Sequence, residues 1–167
     1  LLGGMPDLRL LPHEPLARAY RRALKARDRY VLDYGDPRGD ARLRAALGEM
    51  LGRLRGLGHA EQGLVITRGS QNALYLTTRA LLPPGSVVAV EAMGYQPAWE
   101  AMRLAGARVH PVPIDDEGMK VEELEHIDDL RAVYVTPHHQ YPTTVTLSPA
   151  RRLRLLELAR KRQIPIL

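Results

Sequence analysis

The stretch "GLVITRGSQNAL", Gly63 to Leu74, passes from a short apolar run through Arg-Gly-Ser into a helical pattern. A strand that turns into a helix within so few residues is the unit of alternating α/β sheets. Backbone N–H groups at a helix start have no intrahelical partner, and the helix dipole adds partial positive charge there. Such an end takes either a side-chain cap, here Ser70, or an anion such as phosphate. Taken alone, these residues permit both readings.

Outward from this stretch the alternation continues. The helix opened by Ser70 places Ala73, Leu74, Thr77, Ala80 and Leu81 on one face. "LPPGS" breaks the chain, and "VVAV" (87–90) reads as a buried strand. "YQPAWEAMRLAG" (95–106) is a helix with Pro97 in its first turn and Gly106 as its stop. "ARVHPVPI" (107–114) is extended, and its prolines argue for an edge or an early exit from the ladder. A turn "DDEGM", a short helix "VEELEHI" and a strand "RAVYV" follow, then a helix with Ser148 as N-cap and Pro149 at its first position. "IPIL" reads as the opening of one more strand. On the N-terminal side, the irregular arm "LLGGMPDLRLLPHEPL" leads into a helix beginning near Leu16. The turn "YGDPRGD" then offers Asp40 as N-cap of an amphipathic helix carrying Leu43, Leu47, Met50, Leu51 and Leu54. These elements predict a mostly parallel sheet covered on both faces. A final strand with no helix after it fits a chain that stops partway through a larger domain. It fits equally a small complete domain with an edge strand.

A length of 167 residues suits one domain, and 45% hydrophobic residues suit an ordinary core. No apolar run approaches the roughly 20 residues of a spanning helix, and no signal-peptide pattern opens the chain. The absence of cysteine excludes disulfides and thiolate metal sites. A cytoplasmic protein without membrane association is the simplest fit. The net charge of +5 is carried mostly by arginine, with lysine only at Lys25, Lys120 and Lys161. The run "RRLRLLELARKR" has leucines at helical spacing, so it reads as a solvated basic face rather than a nucleic-acid surface.

Ligands in open α/β sheets bind beyond the carboxyl ends of the strands. Three loops there carry informative residues: Gly69-Ser70-Gln71, "EAMGYQP" with Tyr95, and "TPHHQYPTT" with Gln140 and Tyr141. Phosphate donors, an aromatic plate and polar groups on separate loops suit a planar phosphorylated cofactor. Tyr95 by itself also suits a half-buried packing role. The adjacent His138 and His139 point to opposite faces of an extended chain, and no third ligand stands at metal-site spacing, so no metal is expected. The phosphate-loop, dinucleotide and nucleophile-elbow signatures are all absent.

The segments "YGDPRGDARLRAALGEML", "LVITRGSQNAL", "VAVEAMGYQPAWEAMRLAGARVHPVPIDDEGM" and "RAVYVTPHHQYPTTVTLSPARRLRLLELA" occur in an order that resembles pyridoxal-phosphate-dependent aminotransferases of fold type I (class I/II). The resemblance runs from Met5 to Leu167 and is closer still to the aminotransferase-like domain of MocR-type regulators of the GntR superfamily. "YVTPHHQYPT" carries that preference, since the class I enzymes usually have Asn-Pro-x-Asn-Pro-Thr-Gly there. The implied fold is a partial three-layer α/β/α large domain, truncated on its C-terminal side. Residues 1–36 would form an arm and first helix, and residues 37–167 an incomplete cofactor-binding domain.

The resemblance also implies a site. Gly69, Ser70 and Gln71 match the loop that holds the phosphate of pyridoxal 5'-phosphate, and Tyr95 matches the ring that stacks on the pyridine. Gln140 and Tyr141 lie where the family places a group near the phenolic oxygen, and either could be that group. Tyr34 resembles the tyrosine that reaches the neighbouring subunit's phosphate in a homodimer. The carboxylate that pairs with the pyridine nitrogen and the Schiff-base lysine have no counterpart in these residues, so no catalytic residue is assigned and the chain as given is expected to be inactive. Met93 and Thr144 depart from the usual residues at their positions. Two functions follow. The regulator, sensing pyridoxal phosphate or an amino compound and binding DNA through a domain not in this chain, is preferred on "HHQYPT". The alternative is a free-standing aminotransferase acting between an amino acid and a 2-oxo acid.

Overall fold

The structure, a computed structural model, describes residues 7–25, 34–57 and 63–167. The chain divides into two compact units, Leu1–Ile66 and Thr67–Leu167.

In the first unit Asp7 caps a short 3-10 turn, Leu8–Leu10, by accepting from the Arg9 N–H at 3.0 Å. Helix α1 follows at His13–Lys25, three residues ahead of the expected start at Leu16; residues 1–6 of the arm lie outside the described residues. The "YGDPRGD" turn is held by Asp36, whose carboxylate accepts from the Arg38 N–H at 2.8 Å and pairs with Arg44 at 3.0 Å. Gly39 sits at φ +99° directly under Ile66, where an added Cβ would lie 2.6 Å from the isoleucine side chain. Glycine is required there on both counts. Helix α2 spans Ala41–Arg55; Asp40 caps it through the Arg42 and Leu43 N–H groups at 2.9 and 3.0 Å, and left-handed Gly56 ends it.

Two expectations fail in this unit. "GLVIT" lies outside any strand, because Ile66 makes one backbone bond to Arg38 (2.8 Å) rather than joining a ladder. The leucine stripe of α2 is only partly covered: Leu47 and Leu51 are half-buried and Leu43, Met50 and Leu54 exposed, whereas Arg44 and Gly48 are buried. Arg44 is drawn in by Asp36 and by the Gly39 carbonyl.

The second unit is built on parallel strands in the order β2-β1-β5: β1 Val87–Glu91, β2 Arg108–Val112 and β5 Leu130–Tyr134. Beyond β5, Ile166 bridges Val133 in parallel, so "IPIL" does begin another strand position. β1 is buried throughout, and its side chains alternate between two cores. Val87 and Ala89 join Leu124, Leu155 and Leu158 on one face; Val88 and Val90 join Leu82 and Met102 on the other. Helix α5 (Pro149–Arg162) covers the first face, and helices α3 (Ser70–Leu81) and α4 (Gln96–Leu104) the second. This is a three-layer α/β/α arrangement. On α3 the inward residues are Leu74 and Thr78, and the stripe stops short of Ala80 and Leu81, which are exposed.

β2 lies at an edge, as its prolines predict. Arg108 donates its N–H to the Ser86 carbonyl at 2.9 Å, and the Val112 carbonyl accepts from Ala92 at 2.8 Å. Residues 108, 110 and 112 therefore turn their backbone groups to β1, and Pro111 turns outward. A two-stranded antiparallel pair, β3 Ile114–Asp115 and β4 Gly118–Met119, follows.

Arg151, in the first turn of α5, clamps this pair by donating to Asp115 Oδ2 at 2.8 Å and to the Gly118 carbonyl at 2.9 Å. The guanidinium and the Glu117 N–H hold the Asp115 carboxyl down at about 2, against 3.8 ordinarily. A carboxyl whose value is lowered on folding stabilises the fold above its unfolded value, and that contribution fades as pH falls through the folded one. Asp115→Asn is thus expected to lower the urea midpoint at pH 7, with the deficit closing as pH falls from 4 towards 2. A deficit constant over that range would show that the pair contributes by shape alone.

Candidate functional site

Helix α3 opens at Gly69, whose φ of +89° suits glycine, and no side chain caps it. Ser70 is the first helical residue rather than the cap. The first intrahelical bond runs from the Ala73 N–H to the Gly69 carbonyl at 3.1 Å, which leaves the Ser70, Gln71 and Asn72 N–H groups without intrahelical acceptors. Around them Thr67 Oγ1 donates to the Gly69 carbonyl at 3.1 Å, and Asn72 Oδ1 accepts from the Arg68 N–H at 3.2 Å. A Cβ at Gly69 would meet open space.

The end of β1 supplies the next elements. Gly94 lets the chain turn under Trp99: a Cβ there would stand 2.9 Å from the Glu91 carbonyl and 3.1 Å from the indole. Tyr95 immediately precedes α4, and its ring meets Tyr141 edge to face, with centroids 5.5 Å apart and planes at 82°. The two rings line one cleft of about 540 Å³ with Met93, Trp99 and Pro142. Gln96 and Pro97 line this cleft and also a second one that contains Gln71, Asn72 and Tyr75. The two clefts thus share these two residues at the start of α4. Tyr134, at the end of β5, is half buried, and burial first, then the nearby Glu91 and Tyr95, raise its phenol above its ordinary value.

Gln140 and Tyr141 have distinct environments. Gln140 is buried, and its amide nitrogen donates to the Met93 carbonyl at 2.9 Å and to the Tyr141 carbonyl. Its amide oxygen accepts from Thr143 through the hydroxyl at 2.6 Å and the N–H at 3.2 Å. Both ends of the amide are committed within the protein, whereas Tyr141 is exposed at the cleft. Thr144, noted for replacing a usual glycine, takes φ +64°, the left-handed conformation that glycine adopts more readily. Tyr34 lies in the first unit and is exposed.

Sequence reading passed over Glu91. It closes the fully buried strand β1, and its carboxylate accepts from the Thr136 hydroxyl at 2.6 Å and the Thr136 N–H at 3.2 Å. An acidic residue ending an apolar run was the available signal. Among the described residues no group of His, Asp and Glu is arranged to hold a metal, and no helix is long and apolar enough to cross a membrane.

The model of the class I and II aminotransferase family matches residues 7–167. Aromatic-amino-acid aminotransferase 1 of Thermococcus litoralis is 34% identical over 167 residues, covering 95% of this chain and 40% of that protein. The probable rhizopine catabolism regulatory protein MocR of Rhizobium meliloti is 30% identical over 158 residues, covering 95% of this chain and 32% of that protein. Among solved structures, the α-aminoadipate aminotransferase LysN of Thermus thermophilus, complexed with N-(5'-phosphopyridoxyl)-L-leucine, superposes with a TM-score of 0.85. It is 34% identical, and the match covers 98% of this chain and 41% of that one. The chain spans about two fifths of the length of the aminotransferases it matches.

Proposed function

Because the chain belongs to the class I and II aminotransferase family, with the fold of its solved members, we propose that it binds pyridoxal 5'-phosphate as part of an aminotransferase-like domain. The observation that carries this reading is the uncapped start of α3 beside one cleft, which shares Gln96 and Pro97 with the cleft of the Tyr95–Tyr141 corner. Free N–H donors at a helix start suit a phosphate dianion, and an aromatic face suits a pyridine ring.

In this reading Gly69, Ser70 and Gln71 hold the phosphate and Tyr95 stacks on the ring. Tyr141, not the committed Gln140, donates its hydroxyl to the phenolic oxygen. Gln140 then serves the cofactor only by fixing its neighbours. Tyr34 reaches the phosphate in the partner subunit of a homodimer. When bound, the cofactor supplies an electron sink for chemistry at the amino-bearing carbon of an amino acid or related compound.

Both aminotransferases and regulators match over 95% of the chain, so the relatives give the regulator no precedence over the free-standing enzyme. In either case the residues of this chain bind and orient; neither Lys120 nor Lys161 lines either cleft, and Lys25 belongs to the first unit.

Titration of the 167-residue chain with pyridoxal phosphate is expected to give saturable binding that inorganic phosphate competes away. Glu substituted for Ser70 should weaken binding about a hundredfold, since it sets a carboxylate against the phosphate. Non-saturating binding, or binding indifferent to Ser70→Glu, would overturn the reading.

A further inference from the structure

Glu91 carries the inference that goes furthest. Its side chain is 2% exposed, and it makes no ion pair among the described residues. A buried carboxylate without a cation needs its lone pairs filled by donors. Thr136 fills two positions, and the Gln140 amide nitrogen approaches Oε2 at 3.5 Å.

The two groups beside the Glu91 carboxylate also hold the backbone of Tyr141. The Tyr141 N–H donates to Thr136 Oγ1 at 3.4 Å, and the Tyr141 carbonyl accepts from the Gln140 amide nitrogen. That amide nitrogen also donates to the Met93 carbonyl at 2.9 Å, in the loop that leads to Tyr95. The Glu91 carboxylate orients the Thr136 hydroxyl as a donor towards itself, which leaves the oxygen lone pairs free for the Tyr141 N–H. It also draws the Gln140 amide into the orientation that serves both loops.

We propose that Glu91 is a positioning residue for the ring pair: through Thr136 and Gln140 it sets where Tyr141 and Tyr95 stand in the cleft. This rests on the pyridoxal phosphate reading above, because the ligand that uses that position is taken from it. A residue that only packed the end of β1 would affect stability without coupling to the rings.

Glu91→Gln is nearly isosteric, yet it sets an amide nitrogen against either the Thr136 N–H, which then loses its acceptor, or the Thr136 hydroxyl, which must then turn to accept in competition with the Tyr141 N–H. The test has two arms on the full chain. Without ligand, hydrogen exchange at the Thr136 and Tyr141 N–H groups is expected to speed up about tenfold or more in Glu91→Gln, as expected for one lost hydrogen bond to a charged group. Amides of the β1–β5 ladder, such as Ala132, should keep their rates. With pyridoxal phosphate, Glu91→Gln and Tyr141→Phe should each weaken binding about tenfold, and the double variant by little more than either alone. Glu91→Gln combined with Ser70→Ala should instead lose the product of the two factors.

If Glu91→Gln does not fold, Thr136→Val removes the 2.6 Å bond from the other side, and Thr136→Ser should restore wild-type behaviour. Unchanged exchange, or additive losses for Glu91 and Tyr141, would overturn the proposal. A wild-type chain that binds no pyridoxal phosphate would sink the cofactor reading, and the ligand-free arm would still decide whether Glu91 positions Tyr141.

Discussion

Replacing Gln140 by alanine is expected to lower folding stability by about 3 kcal/mol. The side chain is 1% exposed and satisfies the carbonyls of Met93 and Tyr141 while accepting twice from Thr143. Truncation leaves these groups unpaired, and each buried polar group left without a partner costs about 1–3 kcal/mol. Water can enter from the Thr143 side, which is exposed, and this holds the total below the simple sum. Urea unfolding followed by the fluorescence of Trp99, the single tryptophan, measures the loss beside the affected loop. A loss under about 1 kcal/mol would mean that solvent replaces the amide almost completely.

The second large effect is expected on ligand affinity. Tyr95→Ala should weaken pyridoxal phosphate binding about thirtyfold to a hundredfold, while Tyr95→Phe should stay within a factor of about three, because the ring face and not the hydroxyl makes the stack. Part of the loss comes from Tyr141, which the alanine variant deprives of its edge-to-face neighbour at 5.5 Å. Equilibrium titration of the three proteins decides the matter. Equal affinities for wild type and Tyr95→Ala would place the ring contact elsewhere.

Much of the fold was legible because local chemistry decides it. Asp40 and Ser148 cap their helices as read, since a short oxygen-bearing side chain before a helical pattern has one economical use. The strands at 87–91 and 130–134 and the edge position of the Pro-bearing β2 follow from apolar runs and from the missing proline donor. The failures share a different cause. "GLVIT" has strand-forming residues, but no strand stands among the described residues of the first unit to pair with it, and composition does not reveal partners. In α2 the apolar stripe predicts a buried face, yet Asp36 pulls Arg44 inward instead.

Within the candidate site, the loops were legible and the division of labour inside them was not. Gln140 and Tyr141 are adjacent, and only the packed loop distinguishes a committed amide from an exposed ring. Glu91 was invisible for a related reason. Its partners Thr136 and Gln140 stand 45 and 49 residues away, and the sheet must form before the carboxylate meets them.

The outward-facing Pro111 gives the sheet a direction of growth. A strand arriving at the free side of β2 meets a backbone position that can accept but never donate, so a ladder started there has a gap near its middle. The opposite border behaves otherwise: β5 already exchanges bonds with the segment around Ile166 through the Val133 N–H, the Val133 carbonyl and the Val135 N–H. A ladder on the first side lacks one donor, while the chain's own residues occupy the second. One missing hydrogen atom thus leaves one border of the sheet a poorer template for pairing than the border its own chain already fills.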